Sequence, residues 1–399
     1  MRVLHVLHTS LPYVSGYSIR SDRILSLQRE MGIDVAVITS AQQPDNPPDE
    51  IRAGIPHFRT RPPSLARSPV REIQLMWALA RRIAAVYDQV RPDVVHAHSP
   101  VLVGLPAYFV ARQRGSPFVY EVRDLWENAS VDRGKFAAWS VSYRAARGLE
   151  TWLLRRADAV VTIGETLRDE LQGRAKREVT VTQNGVDPNV FRPLEPEPEW
   201  MREWNPGGNR VIAYVGSFQP YEGLEILIRA MRQIVAQRDR VHLLIVGAGP
   251  GRSGLEALVE KEKLQAHVTF AGRLPHSRVK EIYAVSDLLV YPRIATMTTQ
   301  LTTPLKPLEA LSMQKAVLAS DLPAMRELIS DQETGILFEP GNPSTLAEQA
   351  LKLLGDPAMR TKLGSAGRSW VLKERRWESS VARYKPIYLE LLANRAPRG

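Results

Sequence analysis

The 399-residue chain contains no cysteine, which excludes a disulfide framework, a thiolate metal site and a cysteine nucleophile. No stretch approaches the ~20 consecutive apolar residues needed to span a bilayer. The opening run, Met1-Arg2-Val3-Leu4-His5-Val6-Leu7, soon meets histidines and Pro12 and lacks the longer apolar region of a signal peptide. These absences suit a cytoplasmic protein. No Asp-x-Asp occurs, so nothing suggests a divalent cation bridging a diphosphate. Zinc-finger spacing and an aromatic-rich RNA-binding motif are also missing, which leaves nucleic acid the least supported partner.

Acidic residues are in deficit, 43 Asp/Glu against 53 Lys/Arg, for a net charge of +10. The excess is localised: residues 52–177 hold 21 basic and 12 acidic residues, and residues 360–399 hold 10 and 3. Two such regions suit anionic lipid head groups or a phosphorylated substrate, or simply a solvated basic face. The segment Pro69 to Ile83 sets Val70, Ile73, Leu75, Met76, Trp77 and Leu79 beside Arg67, Arg71, Arg81 and Arg82. It reads as an interfacial helix against an anionic membrane or as a core helix with basic ends.

What is present is a repeated alternation. Val3–Leu7, Val35–Thr39, Val94–His96, Phe118–Glu121, Ala159–Ile163 and Val179–Val181 are short β-branched runs separated by helical segments such as Arg20–Met31. This pattern implies βα units and a parallel sheet buried on both faces. Turn-rich Asn184–Asn189, the Pro/Glu-rich stretch from Pro193 to Trp204 and Asn205-Pro206-Gly207-Gly208 interrupt it. The alternation then restarts at Val211–Val215, His242–Val246, Val268–Phe270, Leu288–Val290 and Ala316–Ala319, and one amphipathic helix from Trp377 to Leu392 closes the chain with Tyr384 and Tyr388 at i, i+4. The expected organisation is a first Rossmann-like domain over residues 1–190, a linker over 191–209, a second Rossmann-like domain over 210–372, and a final helix over 373–399 that returns to the first domain. Doubly wound sheets bind ligands at the carboxyl ends of their strands, so the chemistry is sought there.

Thr302-Thr303-Pro304-Leu305-Lys306-Pro307-Leu308-Glu309 follows one such strand. A threonine suits a helix N-cap and Pro304 the first helical position. Lys306 would then join the free amides near Leu305 at the positive end of the helix dipole, a seat for phosphate. Glu309 is placed to accept hydrogen bonds from sugar hydroxyls. Gly16, between the first strand and first helix, permits close approach of backbone amides to an anion. Gly247 and Gly249 in Val246-Gly247-Ala248-Gly249-Pro250-Gly251 resemble a dinucleotide fingerprint, but Arg252 stands where the third glycine belongs; a tight loop near a nucleotide is the better reading. In His96-Ala97-His98-Ser99, strand alternation is read as sending one imidazole to each side, against a shared metal, with His98 exposed to ligand. In Glu121-Val122-Arg123-Asp124-Leu125-Trp126-Glu127, Arg123 and Asp124 pair with one another, or Asp124 or Glu127 orients an acceptor hydroxyl.

In order and spacing these motifs resemble a retaining glycosyltransferase of family 4 with the GT-B fold, two Rossmann-like doubly wound parallel-sheet domains facing across a cleft. The resemblance runs over nearly the whole chain: the Gly16 loop, His96–Ser99, Asn184-Gly185-Val186-Asp187 with Phe191, Tyr214-Val215-Gly216, Gly247 and Gly249, Phe270-Ala271-Gly272-Arg273, Asp287, Glu309, Arg326-Glu327-Leu328-Ile329 and Trp377-Glu378. More narrowly, Ser15–Arg20, Glu121-Val122-Arg123, Gly148–Trp152 and Thr303–Glu309 resemble the transferases found with exosortase systems, implicated in bacterial exopolysaccharide assembly. The resemblance implies a nucleotide-diphosphate-sugar donor, a glycan or lipid-linked acceptor, no cofactor, no metal, and work at the inner face of the plasma membrane. It places His98, Lys306 and Asp124 at the reacting centre. Gly16, Gly216, Ser217, Gly247, Gly249, Arg273, Arg293, Thr303, Leu305 and Glu309 would surround the donor.

Three positions depart from the family pattern. Ser217 and Glu222 stand where an Arg and a Lys are usual, and Leu301, beside Gln300, replaces the first Glu of a Glu-x7-Glu pair. Lys306 and Arg293 are the residues expected to compensate. A nucleotide-sugar epimerase and a non-catalytic sugar-nucleotide-binding or scaffold protein of the same fold stay open as alternatives.

Overall fold

The computed structural model describes residues 1–44, 47–62, 70–205 and 207–394. The chain folds into two compact units. One comprises Met1–Asn184 with the C-terminal segment from Trp377, and the other Gly185–Arg376. The first unit thus ends at Asn184 rather than near residue 190. Residues 191–209, read as a linker, belong to the second unit: Phe191 joins its core, and the helix Pro198–Trp204 buries Trp204 there.

The first unit is built on β1 (Arg2–Leu7), β2 (Asp34–Thr39), β3 (Glu50–Arg52), β4 (Ile55–Arg59), β5 (Val94–His98), β6 (Phe118–Val122), β7 (Ala159–Thr162) and β8 (Thr180–Val181). Their order is β3-β4-β2-β1-β5-β6-β7-β8, parallel except for β3 against β4. Five of six residues of β1 and all of β5 and β6 are buried, as strands covered on both faces must be. The connecting helices are α1 (Gly16–Glu30), α2 (Val70–Val90), α3 (Val101–Gln113), α4 (Trp126–Asp132), α5 (Val141–Arg156) and α6 (Glu165–Ala175). A capping box starts α1: the Ser15 hydroxyl accepts from the Ser18 amide, and Ser18 returns a bond to the Ser15 amide. Arg67, Pro69 and Pro206 lie outside the described residues.

The second unit holds β9 (Arg210–Val215), β10 (Val241–Val246), β11 (Val268–Gly272), β12 (Leu288–Tyr291), β13 (Ala316–Ser320) and β14 (Ile336–Phe338), all parallel, in the order β11-β10-β9-β12-β13-β14. This is the doubly wound order, in which successive strands are added first to one side of β9 and then, from β12, to the other; such a switch point opens a crevice at the strand ends. In the first unit the equivalent switch point lies between β1 and β5.

The C-terminal segment is two helices, Trp377–Ala382 and Tyr384–Ala393, not the single helix its periodicity suggests. Both Tyr384 and Tyr388 are buried in the first unit. The i, i+4 spacing lets their stacked rings, 6.2 Å apart, reach one buried polar cluster together.

Candidate active site

In the second unit the strand-end loops of β9 and β10 are laced together. Gly216 N donates to Val246 O, Phe218 N to Ala248 O and Gly251 N to Phe218 O, at 3.0, 3.1 and 3.2 Å. Gly247 has φ +138°, and a Cβ there would lie 1.7 Å from the Gly216 carbonyl oxygen; one at Gly249 would lie 2.7 Å from Phe218 N. Both glycines are therefore demanded by loop-to-loop packing, whatever they do for a ligand. Gly216 and Ser217 lie at the free edge of this pair, with Ser217 exposed. Arg273, directly after β11, is exposed and has no hydrogen-bond or ion-pair partner among the described residues.

The helix that carries Lys306 begins later than its composition suggests. It spans Lys306–Ser312, with Leu305 as N-cap and Pro307, not Pro304, in its first turn. No side chain caps it; the Leu305 carbonyl accepts from Leu308 N and Glu309 N instead. Thr303 is buried just ahead of the helix. Lys306 Nζ lies 3.0 Å from Glu309 Oε2, and the Tyr283 hydroxyl donates to the same oxygen at 2.9 Å. The Tyr291 hydroxyl, at the end of β12, donates to the Lys306 carbonyl at 3.0 Å. Two tyrosines thus fix a Lys–Glu pair, half-buried at its lysine end, beside the crevice of the second sheet. Tyr283 and Tyr291 escaped the sequence reading because aromatic residues before and within a strand look like core.

Glu222, the reversed-charge departure, is answered inside the same unit. Its carboxylate lies 3.4 Å from Arg293 Nε, and Arg293 Nη1 donates to the Thr302 carbonyl at 2.9 Å. Burial raises the Glu222 pKa, opposed by Arg293. With only 6% of its side chain exposed, Arg293 is a brace between the β9 and β12 loops rather than an open cation. Leu301 and exposed Gln300 lie in the turn between β12 and Lys306; the Gln300 amide bonds back to Thr296 O.

The first unit overturns the histidine reading. Residues i and i+2 of a strand share a face, so His96 and His98 point the same way, with rings stacked 4.2 Å apart. Both are fully buried, and His98 is not exposed to ligand. His98 Nε2 meets His5 Nδ1 at 3.0 Å, and its Nδ1 accepts from Arg123 Nη2 at 2.7 Å. The ligand atoms of His5, His96 and His98 lie within 4.8 Å of one another. Nearly every ring nitrogen is nevertheless engaged, by Gln28, Tyr388, Arg123 or a neighbouring ring, and a guanidinium abuts the group. The three rings belong to one hydrogen-bonded network. Burial, with His96 and Arg123, holds His98 well below the usual histidine range, and burial with His96 lowers His5 to about 3.

Glu121 is the hub of this cluster. Its carboxylate accepts from Arg20 Nε at 3.1 Å, Arg123 Nε at 2.8 Å and the Tyr384 hydroxyl at 2.5 Å. Burial alone would raise its pKa, but Arg123 and Arg20 outweigh it and hold the carboxyl well below its ordinary value. Arg123 therefore pairs with Glu121, not Asp124. Half-buried Asp124 accepts from the Ser99 hydroxyl at 3.3 Å, and burial raises its pKa. Glu127 is buried against Arg174 at 2.9 Å and cannot orient an acceptor. Gly16 is exposed at the start of α1.

The two units also match known proteins in turn. Residues 14–190 match the family described as Glycosyltransferase Family 4, and residues 196–370 match Glycosyl transferases group 1. The chain is a glycosyltransferase with the GT-B fold, carrying a family 4 domain followed by a group 1 domain. It is 27% identical over 376 residues to a GDP-mannose-dependent alpha-mannosyltransferase of Mycolicibacterium smegmatis, covering 93% of each chain. The solved sucrose-phosphate synthase of Thermosynechococcus elongatus superposes with a TM-score of 0.83 at 20% identity, over 99% of this chain and 100% of that one. Anabaena HepE in complex with UDP-glucose gives 0.74 at 16% identity, over 98% and 99%.

Proposed function

We propose that the enzyme moves a sugar from a nucleoside-diphosphate sugar to a hydroxyl acceptor with retention of anomeric configuration and without a metal ion. The observation that carries this reading is the Lys306–Glu309 pair, held by Tyr283 and Tyr291 beside the β9/β12 switch point of the second sheet. Lys306 and the amides near Leu305 bind the diphosphate, Glu309 accepts from ribose hydroxyls, and exposed Arg273 with the Gly216–Ser217 edge contacts the base. Within the first unit, Asp124 steers an acceptor hydroxyl and exposed Gly16 at the start of α1 offers backbone to an anion. His98 acts at one remove, by positioning Arg123.

Chemically, the bond from the anomeric carbon to the phosphate oxygen breaks as the acceptor oxygen bonds to the same face. The departing phosphate takes the acceptor's proton, so no protein nucleophile is required. The protein contributes positioning and charge stabilisation of the leaving diphosphate. The acceptor is a glycan or lipid-linked glycan, and the role is assembly of a bacterial exopolysaccharide or another cell-surface glycan at the cytoplasmic face of the membrane. GDP-mannose and UDP-glucose, named for a relative and a structural neighbour, are the first donors to test. NMR of the product tests the reading: the donor's anomeric configuration is expected in product formed with EDTA present. An inverted linkage, or turnover abolished by EDTA, would overturn it.

A further inference from the structure

Of the five histidines in the first unit, His8 is the one whose ring makes no hydrogen bond among the described residues. His5, His57, His96 and His98 each bond through at least one ring nitrogen. His8 Nδ1 is buried and unpartnered, which leaves Nε2 as the outlet of this half-buried ring. The backbone around it is nevertheless pinned. Its N–H donates to the Tyr17 hydroxyl at 3.0 Å, and its carbonyl accepts from Ser40 Oγ at 2.8 Å. The ring stands edge-on to that of Tyr17, with centroids 6.3 Å apart. A polar tip left unused on a fixed backbone contributes nothing to the fold and calls for another explanation.

His8 also stands where a ligand is expected. It directly follows β1, which pairs with β2 on one side and β5 on the other, so it lies at the switch point of the first sheet. Carried two residues past the Val6/Ala97 pair, the β1–β5 register sets His8 beside Ser99. The Ser99 hydroxyl accepts from Arg123 N at 3.1 Å and donates to Asp124 Oδ1 at 3.3 Å, which orients that carboxylate at the same end of the sheet. Arg133 is exposed, and its side chain has no partner among the described residues. Its charge reaches both groups. Burial with Arg133 lowers His8 to about 4, so the uncharged ring prevails at neutral pH, and Arg133 opposes the burial that raises Asp124. These charges select the ligand. A phosphate would meet Asp124 and a cation would meet Arg133, whereas an uncharged hydroxyl, both donor and acceptor, suits imidazole and carboxylate together.

We propose that His8 is an acceptor-binding residue, its Nε2 hydrogen-bonding a hydroxyl of the saccharide that receives the sugar, with Asp124 as the second contact. This rests on the reading of the enzyme as a transferase whose first unit holds the acceptor. His8 forms no bond to carbon, and the acceptor's proton still passes to the departing phosphate. The test is transfer from the donor that wild type uses, with a membrane extract as acceptor source, each varied in turn for wild type, His8→Ala and His8→Asn. His8→Ala is expected to raise the half-saturating amount of extract roughly tenfold, the effect of one lost hydrogen bond, with donor KM held within a factor of about two. Its urea unfolding midpoint should match wild type, because the backbone bonds at this position survive the substitution. His8→Asn keeps a donor and an acceptor and is expected to recover most of the loss. An unchanged acceptor dependence in His8→Ala, an equal rise in donor KM, a loss that tracks a lowered unfolding midpoint, or an Asn variant as poor as Ala would each overturn the inference. Active wild type with variants that match it rejects this inference alone. Wild type that releases no nucleoside diphosphate from any sugar donor rejects the transfer reading beneath it as well.

Discussion

Replacing Glu121 by glutamine keeps the side-chain volume and removes one charge from the most constrained point of the first unit. The carboxylate is fully buried and is the shared partner of Arg20 and Arg123, themselves 3% and 5% exposed. Breaking a buried ion pair from one side costs ~3–5 kcal/mol because the remaining charge is left uncompensated. Here each guanidinium keeps other bonds. Arg20 still donates to Asn184 Oδ1 and the Thr182 carbonyl, and Arg123 to the Tyr17 carbonyl and Ser21 Oγ. The lower end, about 3 kcal/mol, is therefore expected. With a urea m-value of ~2–3 kcal/mol/M, the first unit's transition should move down by roughly 1–1.5 M. Tyr384→Phe removes the hydroxyl's bond to Glu121 together with its contacts to Arg20 Nη2 and Thr182 Oγ1, and should cost ~1.5–3 kcal/mol.

The pH dependence of this difference has a definite sign. Because the folded Glu121 pKa is depressed, its contribution is present above the unfolded carboxyl value and is lost as pH falls below it. Wild type and Glu121→Gln should differ by a constant amount from pH 5 to 8 and converge in stronger acid. Urea unfolding followed by far-UV circular dichroism measures both quantities. A midpoint shift under about 0.3 M at pH 7, or a gap that widens in acid, would refute the argument.

Two further outcomes follow from the same kind of reasoning. Gly247→Ala forces a Cβ into the Gly216 carbonyl at a φ of +138°, so thermal melting should show loss of more than ~2 kcal/mol of second-unit stability together with weakened nucleotide binding; wild-type melting would show that the loops are not laced as described. Glu150 is pushed up to about 8 by burial and by Glu127. Its raised pKa means a stability contribution complete below the ordinary carboxyl value and lost as pH rises through about 8. Glu150→Gln should thus flatten the decline of melting temperature between pH 5 and 9 and be the more stable form at pH 9. Parallel profiles would contradict this.

Much of the architecture is legible from local pattern. Short β-branched runs such as Val94–His96 and His242–Val246 became parallel strands because burial on both faces demands near-continuous apolar residues. The break at Asn184 is visible in its turn chemistry, although the exact division is not: Phe191 looks like linker until its core is known. The histidine misreading was one of register, since i and i+2 share a strand face. The rest was hidden by distance along the chain. Glu121 meets Arg20 and Tyr384, 101 and 263 residues away, and no periodicity announces such a meeting. Likewise, nothing local to Glu222 shows that its charge is paired with Arg293, 71 residues on. Lys306 does stand at a helix start, although that helix begins two residues later than Pro304 suggests.

The central claim is that this enzyme releases a nucleoside diphosphate from a sugar donor through charge supplied by Lys306. Release should be measured from GDP-, UDP-, ADP- and TDP-sugars with a membrane extract as acceptor source, for wild type and Lys306→Ala. The account predicts release from one donor class that falls at least about a hundredfold in the variant, equivalent to ~2.7 kcal/mol of leaving-group stabilisation. Wild-type turnover in Lys306→Ala would contradict it.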